Sequence, residues 1–211
     1  MAKNKSKGRY IVLLLLILGG AWVARDRVAG MLTGVGLGTG SVPTERLAEA
    51  AEDRIEALVR NGLTSRVRFS EVELQSLLTY RAAPFLPAGV EHPRIAIQDS
   101  VVILSALLRP VEMTDVAAPD ALRAMLADSS WVTAVVVPSV DRPGRLLVDV
   151  KSLQIGELAV PSFLLPMVID GLASEGYQTS GSALVAPLPD EVASVRIDGD
   201  DFVIEPVIDA D

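Results

Sequence analysis

The chain of 211 residues contains no cysteine, a single histidine and few aromatic residues. The lack of cysteine excludes disulfide bonds, thiolate catalysis and cysteine–zinc sites. The single histidine, His92, excludes a metal site built from several histidines. A stable fold must therefore depend on its hydrophobic core, and half of all residues are hydrophobic.

Patterns that carry catalysis are also missing. No serine lies in a GxSxG turn, so a hydrolase would have to build a Ser-His-Asp site around His92. We expect His92 instead to be a loop residue before Pro93. Glu157 and Asp170 flank an apolar segment, and we expect them to cap or solvate its ends. The sequence thus favours a protein that is not an enzyme and needs no cofactor.

An acidic cluster near the C-terminus raises the question of a calcium site. The segment "IDGDDF" places Asp198, Asp200 and Asp201 close together. The twelve-residue calcium loop with its terminal glutamate is absent. Asp-Gly between two alternating segments is typical of a hairpin turn, so we predict a turn and no metal site.

The N-terminus is basic and is followed by a long apolar run. Four basic residues and no acid precede residue 10, and residues 11–24, "IVLLLLILGGAWVA", carry no charge. This order is typical of a signal peptide or a signal-anchor helix. Trp22 at the far end, and the lack of a clean small-x-small cleavage site, favour the anchor. Either alternative exports the rest of the chain.

These features predict a single-pass protein of the inner or plasma membrane, with a cytoplasmic N-terminus and an extracytoplasmic domain, periplasmic in a cell with two membranes. The predicted parts are a basic tail, an anchor, a glycine-rich linker and a folded domain, at residues 1–9, 10–32, 33–43 and 44–211. Residues 25–211 hold 15 basic and 27 acidic side chains, a net charge of −12. This charge argues against nucleic acid as a partner.

The exported part reads as an α+β domain with a curved, mostly antiparallel sheet. Helical periodicity and end signals predict helices over residues 41–62 and 71–80, the first with Thr44 as N-cap and the second with a Ser70–Glu73 capping box. A further helix is predicted over residues 162–173. Alternating or apolar segments bounded by turns predict strands at residues 65–69, 94–98, 101–109, 131–138, 145–153, 192–198 and 202–207.

Three segments, two strands and one helix, are more apolar than an ordinary antiparallel domain requires. Strands 101–108 and 131–137 are apolar on both faces, whereas a strand with one solvated face alternates. Residues 163–172, "FLLPMVIDGL", form a predicted helix that is apolar almost all round, so we expect it to be covered on all sides. Both features indicate that the sheet is covered twice or that one side lines an apolar space.

Three motifs resemble the bacterial membrane-anchored members of the tubular lipid-binding (TULIP, or BPI-like) superfamily, including the YpmS-like and LmeA-like groups. They are "VRFSEVELQSLL" (67–78), "LLVDVKSLQIGELAVPSFL" (146–164) and "APLPDEVASVRIDGDDFVIE" (186–205). Gln75 stands where asparagine is frequent in the family, and residues 111–130 are an insertion. The resemblance implies a curved sheet wrapped on helices, with a cavity for acyl chains and no catalytic residues.

The resemblance and the apolar pattern together predict a membrane-tethered lipid-binding or lipid-transfer domain. Its partners would be the acyl chains of membrane lipids, held between helices 71–80 and 162–173 and strands 101–108 and 131–137. The residues expected to line the cavity are Leu74, Leu77, Leu78, Ile103, Trp131, Val135, Phe163, Leu164, Met167, Val168 and Leu172.

Two points stay open from the sequence. Arg94, Arg109 and Arg123 are candidates for contacts with lipid phosphate, although surface arginines are commonly only solvated. The alternative to lipid binding is a non-enzymatic interaction or assembly module of the cell envelope with a solid core.

Overall fold

The structure is a computed structural model that describes residues 42–61, 65–82, 86, 89–109, 129–172 and 178–207. Among these residues no helix is both long and apolar enough to cross a bilayer. The predicted anchor, residues 10–32, lies outside the described part of the chain.

The first helix, α1, spans Glu45–Asn61 and begins where its cap predicts. The Leu47 N–H donates to Thr44 Oγ1 at 3.2 Å, which satisfies one of the amides that a helix start leaves free. The buried residues Ala48 and Ala51 let this helix approach its neighbours closely.

The second helix, α2, spans Glu71–Leu77 and continues as a π-helical turn over Leu78–Ala82. The predicted capping box is confirmed: the Ser70 N–H donates to Glu73 Oε2 at 2.9 Å. Glu73 also forms an ion pair with Arg54 of α1, so the cap ties the two helices together.

The described residues form ten strands in two sheets, and all of their pairings are antiparallel. In chain order the strands are β1 (Val67–Ser70), β2 (Val90–Gln98), β3 (Val101–Leu108), β4 (Ser130–Arg142), β5 (Arg145–Ile155), β6 (Leu158–Val160), β7 (Gln178–Ser180), β8 (Ala183–Pro187), β9 (Val192–Asp198) and β10 (Asp201–Pro206). The α+β class with an antiparallel sheet is therefore confirmed.

The larger sheet has the order β2-β3-β4-β5-β8-β7, with β6 paired to the C-terminal half of β5. The smaller sheet has the order β1-β10-β9. Between β6 and β7 the chain forms a 3-10 turn, Ser162–Leu164, and then a third helix, α3, over Leu165–Leu172. The short strands β6, β7 and β8 were not predicted from the sequence.

One face of the larger sheet, called here the first face, carries the hydrophobic core. Its residues pack against α1, α2, α3 and the smaller sheet in a large cluster, with a second cluster near α3. The sheet residues of these clusters include Ile95, Ile97, Val102, Leu104, Ala134, Val136, Leu146, Val148, Val150, Leu153 and Leu184.

Side chains of α2 form hydrogen bonds with backbone groups at the β2 edge of the larger sheet. The N–H groups of Ile95 and Ile97 in the edge strand β2 donate to Gln75 Oε1 and Glu71 Oε2, both at 2.8 Å. Gln75 Nε2 also donates to the Pro93 carbonyl at 3.1 Å. An open strand edge invites pairing with another chain, so α2 both fills the core and blocks this edge.

Candidate functional site

The opposite side of the larger sheet, called here the second face, is also largely apolar. Strand alternation assigns residues to it, because cross-strand partners share a face. A bulge in β5 lies opposite Val135 and Val136. Cross-strand partners in β4 and β5 therefore share a face on both sides of the bulge. In β2, β3, β4, β5 and β8 the apolar residues of the second face are Ala96, Val101, Ile103, Leu107, Trp131, Val135, Val137, Leu147, Ala183 and Val185.

Within the described part of the chain, neither hydrophobic cluster includes a residue of the second face. The described helices therefore do not account for the burial of Ile103 or Val185, both of which are more than nine-tenths buried. Trp131 at one end of this face is 40% exposed. The prediction that strands β3 and β4 are apolar on both faces is confirmed by the register.

The residues predicted to line one cavity are divided between three places. Leu74, Leu77, Leu78, Leu164 and Val168 pack into the two clusters on the first face. Ile103, Trp131 and Val135 lie on the second face. Phe163 and Met167 are exposed, and the side chain of Leu172 lies outside the described residues. A single sheet separates the first two groups, so the eleven residues do not line one common space.

The expectation that the helix over 163–172 is covered on all sides is wrong. Leu165, Val168 and Ile169 face the core and are buried, whereas Phe163 is 78% and Met167 52% exposed. The sequence shows how hydrophobic each side of the helix is. Packing against one face of a sheet, however, buries only one side of the helix. Leu158, just before this segment, is also exposed.

Charged groups stand at the β2 end of the second face. The Arg94 guanidinium lies 4.9 Å from the centre of the Trp131 ring, in cation–π contact. Arg109 instead pairs with Glu91, Nη2 to Oε2, at 3.1 Å. Of the three arginines considered for phosphate contacts, Arg123 lies outside the described residues.

Two polar residues on the second face were missed by sequence reasoning. Thr133 and Gln154 are more than nine-tenths buried, and they are direct cross-strand partners in β4 and β5. Gln154 Nε2 donates to the Gly156 carbonyl at 2.8 Å, while its Oε1 is buried and has no hydrogen-bond partner among the described residues. The signal in the sequence was a polar residue inside an apolar strand, but only the register shows that the two meet.

The acidic cluster at the C-terminal hairpin is neutralised by arginines. Asp198 and Asp201 pair with Arg68 of β1 at 3.2 and 3.3 Å, and the hairpin turn predicted there is confirmed. Glu205 accepts hydrogen bonds from Ser194, Arg196 and Arg66. These bonds lower the pKa of Glu205 to about 2, since they stabilise the carboxylate.

His92 lies in β2, at an irregularity between Glu91 and Arg94 where the β2–β3 register shifts. Its φ of +49° is left-handed, and its side chain is exposed. Among the described residues there is no group of three or more histidine and carboxylate side chains that could hold a metal ion.

Comparison with known proteins gives no match: no family model, no curated protein and no solved structure matches this chain. The function must therefore be argued from the second face itself.

Proposed function

We propose that this protein is a membrane-tethered, extracytoplasmic domain that binds or transfers lipid and is not an enzyme. The acyl chains would lie along the second face, against Ile103, Val135 and their neighbours. The tether is the predicted N-terminal anchor, and the TULIP-like resemblance of the three motifs supports the same function.

One observation carries this proposal. The second face presents ten apolar side chains across β2, β3, β4, β5 and β8 that belong to neither cluster of the described core. An apolar face of this kind is stable only when it is covered, because removing apolar area from water contributes about 25 cal/mol per Å². An acyl chain offers flexible apolar surface that can cover such a face.

The test compares two tryptophan substitutions in the full-length chain. Val135→Trp adds bulk on the second face, whereas Met167→Trp adds the same side chain at an exposed position of α3. Native mass spectrometry of the detergent-solubilised protein counts the lipids bound per chain. We expect the wild type and Met167→Trp to retain lipid and Val135→Trp to lose it.

A folded Val135→Trp variant, verified by thermal unfolding, that keeps as much lipid as Met167→Trp would contradict the proposal. So would a wild-type chain that carries no lipid.

A second candidate function rests on a different surface. The exposed apolar residues Leu158, Phe163 and Met167 lie within ten residues of one another in the sequence, and exposed apolar surface commonly marks interaction sites. They suit the alternative of an envelope interaction or assembly module. Loss of a partner from Phe163→Ser and Met167→Ser chains, with lipid content at the wild-type level, would favour this function.

A further inference from the structure

A polar row crosses the second face at right angles to its strands. Arg94 of β2 pairs with Ser105 of β3, Ser105 pairs with Thr133 of β4, and Thr133 pairs with Gln154 of β5. Adjacent strands lie about 4.8 Å apart, so the row is about 14 Å long. On one side of it lie Ile103 and Val135, and on the other Leu107 and Trp131.

The inner end of the row holds an acceptor without a donor. Gln154 is only 2% exposed, and within the part of the chain that the structure describes its Oε1 has no hydrogen-bond partner. The orientation of the amide is fixed, because exchanging its oxygen and nitrogen would bring the oxygen against the Gly156 carbonyl that Nε2 now contacts. A buried acceptor without a partner is destabilising, so this position favours a ligand that brings a donor.

The outer end of the row holds a cation. Arg94 is exposed, and among the described residues its one charge-related contact is the Trp131 ring. That contact orients the planar guanidinium, whose N–H groups match two oxygens of a phosphate. The row therefore runs from a phosphate-binding group at the edge, through two hydroxyls, to a buried acceptor.

We propose that this row binds the head group of a phospholipid whose acyl chains lie on the second face. Arg94 binds the phosphodiester, Ser105 and Thr133 hydrogen-bond its oxygens or the adjoining esters, and Gln154 Oε1 accepts from an O–H or N–H of the head group. Such a site selects glycerol or ethanolamine head groups over choline, which has no hydrogen-bond donor. This inference rests on the proposed function, since it places the head of the lipid whose chains that function requires.

The test offers the detergent-solubilised full-length chain an equimolar mixture of phosphatidylglycerol, phosphatidylethanolamine and phosphatidylcholine with identical acyl chains. Native mass spectrometry reports the amount of each lipid bound. We expect the wild type to prefer the first two by about fivefold over phosphatidylcholine, a ratio typical of one net hydrogen bond. Gln154→Leu should bind all three equally, with total lipid retained.

Arg94→Gln should weaken all three lipids by about tenfold, because each carries the phosphodiester. Ser152→Ala is the matched control, since Ser152 lies on the same face opposite Val135 but outside the row. Thr133→Val, which keeps the shape of the side chain, provides a second row variant if Gln154→Leu does not fold. We expect it to weaken binding of all three lipids while Ser152→Ala leaves binding unchanged.

A wild type that binds lipid without any preference, or a Gln154→Leu variant that keeps the preference, overturns the head-group site and leaves the proposed function standing. A wild type that binds no lipid overturns both. Glycerol 3-phosphate in excess separates the two sources of phosphate. We expect this excess not to displace the lipid, and displacement would show that the row binds a soluble phosphate ester instead.

Discussion

Asp99 and Ser100 connect β2 to β3 in left-handed backbone, with φ values of +49° and +64°. Two consecutive positive φ angles are typical of the type I′ hairpin turn, which prefers glycine at its second position. The sequence predicts a turn at this dipeptide, but not that a serine holds the conformation that favours glycine. This backbone strain lies in a turn whose two residues, Asp99 and Ser100, are both exposed to solvent.

Ser100→Gly should stabilise the domain. A left-handed residue other than glycine costs about 1–2 kcal/mol, and the extra entropy of glycine in the unfolded chain offsets about 0.5–1 kcal/mol of that gain. We expect a net rise of about 0.5 kcal/mol in the free energy of unfolding by urea denaturation. Ser100→Val is the opposite control and should be destabilising. A Ser100→Gly chain less stable than the wild type would contradict the turn geometry.

Glu205 gives a second prediction at this scale, a dependence of stability on pH. Its folded pKa is lowered to about 2 by Ser194, Arg196 and Arg66. A lowered pKa contributes stability that is present above the unfolded pKa and is lost as the pH falls towards the folded value. Glu205→Gln should therefore be less stable than the wild type near neutral pH, and the difference should vanish between about pH 4.5 and 2.

Denaturation at a series of pH values checks this, with Glu49→Gln on the exposed side of α1 as control. A difference between the wild type and Glu205→Gln that is the same at all pH values would show that the carboxylate charge is not the cause.

At the scale of elements, α2 combines three tasks in seven residues. Its apolar side fills the core through Leu74 and Leu77, its first turn is capped, and Glu71 and Gln75 satisfy the edge of β2. Positions 71 and 75 are four residues apart, so they lie on the same side of the helix. This arrangement gives a physical reason for polar residues at both positions of the "SEVELQSLL" segment.

Gln75→Ala should destabilise the domain by about 1–2 kcal/mol, because it leaves the Ile95 N–H and the Pro93 carbonyl without partners. Hydrogen exchange resolves the cause: Gln75→Ala should speed exchange at Ile95, and Glu71→Ala at Ile97. Gln75→Glu is the matched control, since it keeps an acceptor for Ile95. Equal protection of Ile95 in the wild type and Gln75→Ala would contradict this account of the edge.

The two sides of α3 give a matched pair of predictions. Ile169→Ala removes a fully buried side chain from the larger cluster and should cost about 2–5 kcal/mol. Met167→Ala lies on the exposed side and should change stability by less than about 0.5 kcal/mol. Chemical denaturation of both variants checks the difference. Similar losses from the two would mean that the exposed side is covered in solution.

At the scale of the whole molecule, the smaller sheet joins strands that are distant in the sequence. β1 pairs with β10 near the end of the chain, and Phe69 and Phe202 from these strands are buried in the larger cluster. The smaller sheet, α1 and α2 therefore cover the first face together. None of these elements packs against the second face, and for this reason the proposed lipid site is assigned to it.

Local signals in the sequence determined much of this protein. The Thr44 cap, the Ser70–Glu73 box, the Asp99–Ser100 turn and the apolar strands each depend on residues close in the chain. These interactions form within one turn or one hairpin, so spacing alone identifies them. The three-residue strands β6 and β7 carry too few residues for a periodic signal, and β8 has an apolar run that ends in proline.

Tertiary structure decided which apolar surfaces are covered and which polar groups meet. Leu165 and Met167 are both apolar in the sequence, but only contact with one sheet face separates the buried side from the exposed one. Thr133 and Gln154 lie 21 positions apart, and strand register makes them partners. Hydrophobicity is a property of the residue, whereas burial and pairing are properties of the neighbours that the fold supplies.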